Sequence, residues 1–373
     1  MIVQQNGAVI DKNPAPGDTA PLSEGEDLLG PQSIQNAAVL LNANAKRVTR
    51  GVVRKVEDMV PRAQTYISHS IDDARSAVRE IVDKGYETVF CGGGDGTFIS
   101  TINQIKAAVD ERNQRFQDAM HRIPFPKLGV LKLGTGNSLS ALIGNMRGVE
   151  PLRLLRDGLP PRTRRIDLIE AEERCFHFGG LGWDAAILND YNWLKERFGR
   201  VPVLRHFAHG FPGYIAAMVT RTIPKEIAAT RPRVRAVNEG DRVFIRRHGR
   251  PAEPLAVRAG DTIYEGEVSV LGASTVPYYG YNMRAYPFAG EIPGFMSFRI
   301  FQTGLREVLS HMPGIYRGRY QSDRVHDFLA TRVRLEFDRP IPLQIGGDGM
   351  GYREGITFSM SDLSVDLLDF SPA

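Results

Sequence analysis

The sequence predicts an α/β domain, a parallel sheet with helices packed on it, followed by a β-rich sandwich domain. Three observations carry that reading. Glu87-Thr88-Val89-Phe90-Cys91 is a short β-branched and aromatic run, as a buried strand is, and it passes through Gly92-Gly93-Gly94-Asp95-Gly96-Thr97 into Phe98, Ile99, Ile102 and Ile105 at helical spacing. About forty residues later the order recurs: Leu128-Gly129-Val130-Leu131-Lys132-Leu133, then Gly134-Thr135-Gly136-Asn137-Ser138, then Leu139, Leu142 and Ile143. Beyond Arg165 the texture changes to short alternating segments between turns, an antiparallel pattern.

Each element follows in order. Met1 to Gln32 has several Pro, Gly and acidic residues, no sustained periodicity and no basic segment leading into an apolar core, so residues 1–33 are expected to be a flexible tail rather than a signal peptide. Ala37-Ala38-Val39-Leu40-Leu41 is the first buried strand. Ser70 is a good N-cap for a helix with Ile71, Ala74, Val78, Ile81 and Val82 on one face and Gly85 as its stop. The Asp95 unit, a polar segment from Asp110 to Arg122 and the Gly134 unit complete an α/β domain at 34–165. Strand candidates then fall at Ile166–Glu170, Cys175–Phe178, Val234–Val237, Arg242–Ile245, Val268–Leu271, Ser297–Ile300 and Thr331–Phe337, with a helical interruption at about His209 to Thr222. These make a sandwich domain at 166–345, and 346–373 holds an Asp-Gly element and a strand returning toward the first domain.

Composition narrows the function classes. The 373 residues, 42% hydrophobic and 24% charged, describe an ordinary globular protein, and no apolar run approaches the roughly twenty residues a membrane span needs. Two cysteines, Cys91 and Cys175, do not make a disulfide framework and suit a reducing compartment.

The two glycine turns are built to hold phosphate. Each delivers a helix N-terminus with free backbone N–H groups and a positive dipole end, and its glycines let a phosphate approach the main chain. A Walker A loop is excluded because Gly96-Thr97-Phe98 lacks the Lys and Ser/Thr, and a Rossmann fingerprint because Thr97 stands where its third glycine belongs.

Gly93-Gly94-Asp95-Gly96-Thr97 with Leu133-Gly134-Thr135-Gly136-Asn137 resembles the diacylglycerol kinase catalytic domain family, which includes sphingosine, ceramide and bacterial lipid kinases. The resemblance continues in Gly182-Trp183-Asp184-Ala185 and in Gly346-Gly347-Asp348-Gly349-Met350, and covers roughly residues 36 to 370. It implies the NAD kinase/diacylglycerol kinase-like fold, with nucleotide bound by the 34–165 domain and a lipid by the sandwich domain. It also implies ATP as co-substrate, Mg²⁺, and a phosphoryl-transfer site. Asp95, Asp348 and Asp184 are the candidate catalytic residues. Asn42, Gly93, Gly94, Gly96, Thr97, Gly134, Thr135, Gly136 and Asn137 are the candidate nucleotide-binding residues, and the metal ligands are left open. Each aspartate has a plainer reading: Asp95 organising its turn, Asp348 in an Asp-Gly hairpin, Asp184 as a buried structural carboxylate.

Departures from the family pattern bear on mechanism. Ser100, Ser138 and Met350 stand where related sequences carry acids, and Met350 takes the place of a Glu thought to accept the proton. If the chain is active, Asp95 or Asp348 carries the base role. The formal net charge is +4, and Arg231, Arg233, Arg235, Arg242, Arg246, Arg247 and Arg250 form a basic stretch suited to anionic headgroups at about 1 kcal/mol per cation. Phe211, Tyr214, Ile215 and Met218 offer an apolar entrance or simply core, and tyrosines at Tyr278, Tyr279 and Tyr281 reshape a segment that is glycine-rich in the family. The expected partners are a lipid substrate at a membrane surface and, as one oligomeric option, a second copy in a homodimer; nucleic acid is not expected. The expected location is cytoplasmic with peripheral membrane association. The rival expectations are a soluble NAD kinase-like enzyme and a non-catalytic nucleotide- or lipid-binding protein.

Overall fold

The structure, a computed structural model, describes residues 34–115, 122–134, 136–198, 218–222 and 230–371. The expected tail at 1–33, Thr135, and Phe211, Tyr214 and Ile215 of the apolar stretch lie outside the described residues.

Strands β1 (Ala37–Asn42), β2 (Thr65–Ser68), β3 (Thr88–Gly93) and β4 (Lys127–Lys132) run parallel in the order β2-β1-β3-β4. They are covered by α1 (Arg50–Glu57), α2 (Ile71–Asp83), α3 (Asp95–Arg115), α4 (Ser138–Leu142) and α5 (Glu150–Arg156). Strand alternation sorts the core into two faces. Ala38, Leu40, Val89, Cys91, Leu128 and Val130 pack on α2, α3 and α4, whereas Val39, Leu41, Phe90 and Leu131 pack on α1 and α5. Both faces are buried, which is why β1 and β3 read as continuous apolar runs.

Local chemistry sets the helix ends. Ser70 and Asp73 form a reciprocal capping box at the start of α2, and Gly85 ends it at φ +73°. Ile71 departs from the expected apolar face: it lies in the first turn and is 69% exposed, leaving Val78, Ile81 and Val82 as the buried stripe. Helix α3 extends to Arg115, through part of the segment expected to be polar. Its solvated end is laced by Lys106–Asp110 at 3.1 Å, Arg115–Glu111 at 2.6 Å and Arg79–Glu111 at 3.3 Å, which favour a helix without an apolar face. Helix α1 and strand β2 are short and largely polar, and periodicity did not announce them.

The β-rich part comprises β5 (Arg162–Ala171), β6 (Arg174–Phe176), β7 (Phe178–Gly182), β8 (Arg233–Asn238), β9 (Val243–Arg246), β10 (Glu253–Leu255), β11 (Thr262–Glu267), β12 (Val270–Ser274), β13 (Met296–Phe301), β14 (Val325–Ala330), β15 (Arg332–Ile345) and β16 (Asp348–Asp369). Their mutual pairings are antiparallel around a core that includes Phe176, Leu181, Phe298, Leu343 and Phe358. Helix α6 (Trp183–Phe198) follows β7, and α7 (Leu305–Ser310) and α8 (Met312–Tyr316) follow β13. Strand β16 joins the two parts: it pairs antiparallel with β15 and β5 and parallel with β4 at Leu367 and Leu128.

Candidate active site

Strand β3 ends at Gly93 and α3 begins at Asp95; β4 ends at Lys132 and α4 begins at Ser138. Both glycine turns therefore lie at the C-terminal edge of the parallel strands, where α/β sheets bind ligands. They pack backbone on backbone. A Cβ on Gly134 would lie 2.2 Å from Gly94 Cα, so any side chain there would force the turns apart. Asn42 Nδ2 donates to Thr97 Oγ1 at 2.9 Å and ties the end of β1 to the first turn, while Asn137 Nδ2 donates to the Gly134 carbonyl at 3.0 Å and closes the second. Gly93 stands against Thr97, whose Cβ would be 2.5 Å from a Cβ on the glycine.

Asp95 spans the two turns. It is 7% exposed, and its Oδ1 accepts from both the backbone N–H and the hydroxyl of Ser138 at 2.8 Å. Its Oδ2 lies beside Gly136, 3.0 Å from where a Cβ would be. Burial pushes the carboxyl up to about 6; the Ser138 hydrogen bonds pull it down and the charge of Asp348 adds to the rise. The Ser138 hydroxyl also meets His177 Nε2 at 2.8 Å. His177 is fully buried against the edges of Phe98 and Phe178, and burial pushes its imidazole down to about 3, so the ring is neutral at ordinary pH.

Asp348 reaches the same place from the other part of the chain. Ile345 and Asp348 pair across Gly346 and Gly347, whose φ angles of 60° and 84° make a two-residue hairpin turn of the type that suits twisted strands. The hairpin seats on α3, where a Cβ on Gly346 would meet Ile99 Cδ1 at 2.0 Å. Asp348 Oδ2 leans over the first glycine turn, 2.3 Å from the position of a Cβ on Gly96. Asp348 is thus a hairpin residue and a neighbour of Asp95 at once.

Asp184 stands apart, in the first turn of α6, with Oδ1 sealed from solvent. Burial pushes its carboxyl up to about 7, against the N–H groups of its own helix turn and the nearby Tyr279 and Gln344 side chains. Gln344 connects it to the hairpin: its Oε1 accepts the Gly347 N–H at 2.9 Å, and its amide faces the Asp184 carboxyl. Tyr279 stacks near Phe178 at 4.8 Å between ring centroids, filling space beside Asp184.

His177 and Gln344 were not singled out from the sequence. A lone His in Cys175-Phe176-His177-Phe178 and a Gln before Ile345 carry the signal of ordinary strand residues; only their contacts distinguish them. Of the positions that depart from the family pattern, Ser100 is exposed and accepts from Gln104 at 3.2 Å, Ser138 grips Asp95, and the half-buried Met350 accepts a weak bond from Arg174 at 3.7 Å.

Among the described residues no group of three or more His, Cys, Asp or Glu converges on one point. Asp95 and Asp348 offer two carboxylates at one place, a donor set that fits Mg²⁺ held by one or two carboxylates with phosphate oxygens and water completing the shell. A cavity of about 10 Å³ beneath the turns, lined by Cys91, Gly93, Gly94, Asp95, Phe98, Val130, Asn137 and Leu139, has room for about one water, so a larger ligand must lie at the open edge. The basic stretch is largely matched by acids: Arg231 pairs with Glu267, Arg235 with Glu336, Arg246 with Glu291 and Arg247 with Glu253, at 2.6 to 3.8 Å. No helix among the described residues is long and apolar enough to cross a membrane.

Comparison with known proteins places this geometry. A diacylglycerol kinase catalytic domain family model matches residues 36–171. A probable lipid kinase YegS-like of Enterobacter sp. (strain 638) is 33% identical over 137 residues, 36% of this chain and 41% of that protein. Its counterpart from Cronobacter sakazakii (strain ATCC BAA-894) is 24% identical over 266 residues, 70% of this chain and 73% of that protein. The matched part thus spans about two fifths of the first relative and about three quarters of the second. The crystal structure of a putative diacylglycerol kinase from Bacillus anthracis str. Sterne superposes with a TM-score of 0.56 at 14% identity, covering 90% of this chain and 97% of that one, which establishes a shared fold. Residues 36–171, with their paired glycine turns and Asp95 between them, are therefore the part of the chain that matches the diacylglycerol kinase catalytic domain family.

Proposed function

We propose that this protein is a lipid kinase that transfers the γ-phosphoryl group of ATP, with Mg²⁺, to the hydroxyl of a lipid such as diacylglycerol or a sphingoid or ceramide-like molecule. The observation that carries this reading is the convergence of Asp95 and Asp348 on two abutting glycine turns at the ligand edge of the sheet. Phosphoryl transfer asks mainly for positioning and charge neutralisation, and that edge offers backbone N–H groups from two turns and two carboxylates. Asp95 and Asp348 would hold Mg²⁺, which neutralises phosphate charge when bound. Asp348, exposed and next to Asp95, is the carboxylate placed to take the acceptor hydroxyl proton, because Met350 cannot. Asp184 lies on the side of the lipid, where Tyr279 and Gln344 shape the approach. The enzyme acts from the cytoplasm as a peripheral visitor to the membrane surface.

A second reading, nucleotide or lipid binding without turnover, draws on Met350, where no carboxylate is available to accept a proton. One assay separates the possibilities: γ-labelled ATP offered with vesicles containing diacylglycerol, sphingosine or ceramide, and separately with NAD. Label in a lipid supports the kinase reading. Label in NAD alone sinks it, and saturable ATP binding with label in neither favours the second reading.

A further inference from the structure

Ser138 Oγ sits between Asp95 Oδ1 and His177 Nε2, 2.8 Å from each. A serine hydroxyl has one proton to give. Asp95 Oδ1 already accepts the Ser138 backbone N–H at 2.8 Å, and an oxygen that gathers donors from both groups of one residue is an acceptor, so the hydroxyl proton goes to Asp95. The hydroxyl then turns a lone pair toward His177, and the imidazole satisfies it with a proton on Nε2. The other ring nitrogen points the same way. Nδ1 is buried with no hydrogen-bond partner, and an orphaned buried N–H is rarer in proteins than an under-satisfied acceptor. All of this is sealed from water: His177 and Ser138 are 0% exposed. Among the described residues no Lys or Arg pairs with Asp95, so donors alone offset the burial of its carboxylate.

We propose that Ser138 and His177 are positioning residues for Asp95. They form a one-way donor chain, from His177 Nε2–H to Ser138 Oγ and from Ser138 Oγ–H and N–H to Asp95 Oδ1, that fixes the carboxylate in one orientation and leaves Oδ2 beside Gly136 for the ligand. This deepens the kinase reading and rests on Asp95 facing the ligand there. The residue after Gly134-Thr135-Gly136-Asn137 thus supplies two donors to Asp95. His177 lies behind Ser138, away from any reacting atom, and acts only through it.

The chain direction is read directly by long-range ¹H–¹⁵N NMR of the full chain labelled with ¹⁵N-histidine, the His177 signals being assigned by their loss in His177→Gln. The expected result is the Nε2–H tautomer; an Nδ1–H tautomer reverses the chain and overturns the proposal. In the lipid kinase assay, Ser138→Ala and His177→Leu should each lower kcat by about ten- to a hundredfold, the usual effect of losing an outer-shell partner, with KM for ATP little changed. His177→Gln keeps an N–H donor at the reach of Nε2 and should restore most of the rate. Unchanged kcat in Ser138→Ala, or His177→Gln no better than His177→Leu, also overturns it. If no lipid or NAD is phosphorylated, the kinase reading fails by itself, and the tautomer of the unmutated protein still decides the donor chain.

Discussion

Asp95 and Asp184 are both carboxylates at helix starts, yet their surroundings give them different work. Asp95 is gripped by Ser138 and faces Asp348, so its task is tied to the glycine turns. Asp184 has a sealed oxygen and a carboxyl raised to about 7. The sign of the resulting pH effect follows. The folded state holds the Asp184 proton where the unfolded chain, with a carboxyl near 4, has released it, so stability falls as pH rises from about 4 to about 7. Asp184→Asn removes that loss. Thermal unfolding at pH 5 and pH 8 should therefore show a smaller drop in Tm for the variant than for the native chain, and equal drops would contradict the assignment. Gly96 gives a second test. A methyl group there would collide with Asp348 Oδ2, so Gly96→Ala should displace that carboxylate and cut the rate of transfer by on the order of a hundredfold, with Tm within a few degrees of native.

At the scale of elements, two sites differ sharply in what they contribute to stability. The Ser70 capping box is exposed, and Ser70→Ala should cost about 1 kcal/mol by urea titration. Arg299 and Asp327 face each other directly across β13 and β14, 3.2 Å apart and almost wholly buried. Arg299→Ala strands the Asp327 carboxyl and should cost about 3 to 5 kcal/mol, and a loss no larger than that of Ser70→Ala would refute the pairing. The elements that were legible in the sequence are those with one dominant local signal: β3 and β4 as apolar runs, α2 by its cap, the glycine turns by composition. Helix α1 and β2 lack such a signal, being short and stabilised by what covers them. The end of α3 was hidden because ion pairs, not an apolar stripe, keep it helical.

On the scale of the whole molecule, the site exists because β16 returns to β4 and the hairpin before it rests on α3. Asp348 is 253 residues from Asp95 by number, and no local pattern could place one against the other. Its glycine flanks fit both an ordinary hairpin and a ligand contact; the fold makes both true of one residue. Gly134→Ala tests the same closure from the other turn. Its added carbon would meet Gly94, so ATP affinity measured by calorimetry should fall at least tenfold, whereas native affinity would mean the turns are not jointly required.

The most direct test is transfer of label from ATP to lipid under single-turnover conditions, comparing the native chain with Asp95→Asn and Asp348→Asn. If the two carboxylates form one site, each variant alone loses a hundredfold or more of the rate, on the scale expected for positioned acid–base groups, while the protein stays folded. A native rate in Asp348→Asn, with Asp95→Asn inactive, would contradict the shared site.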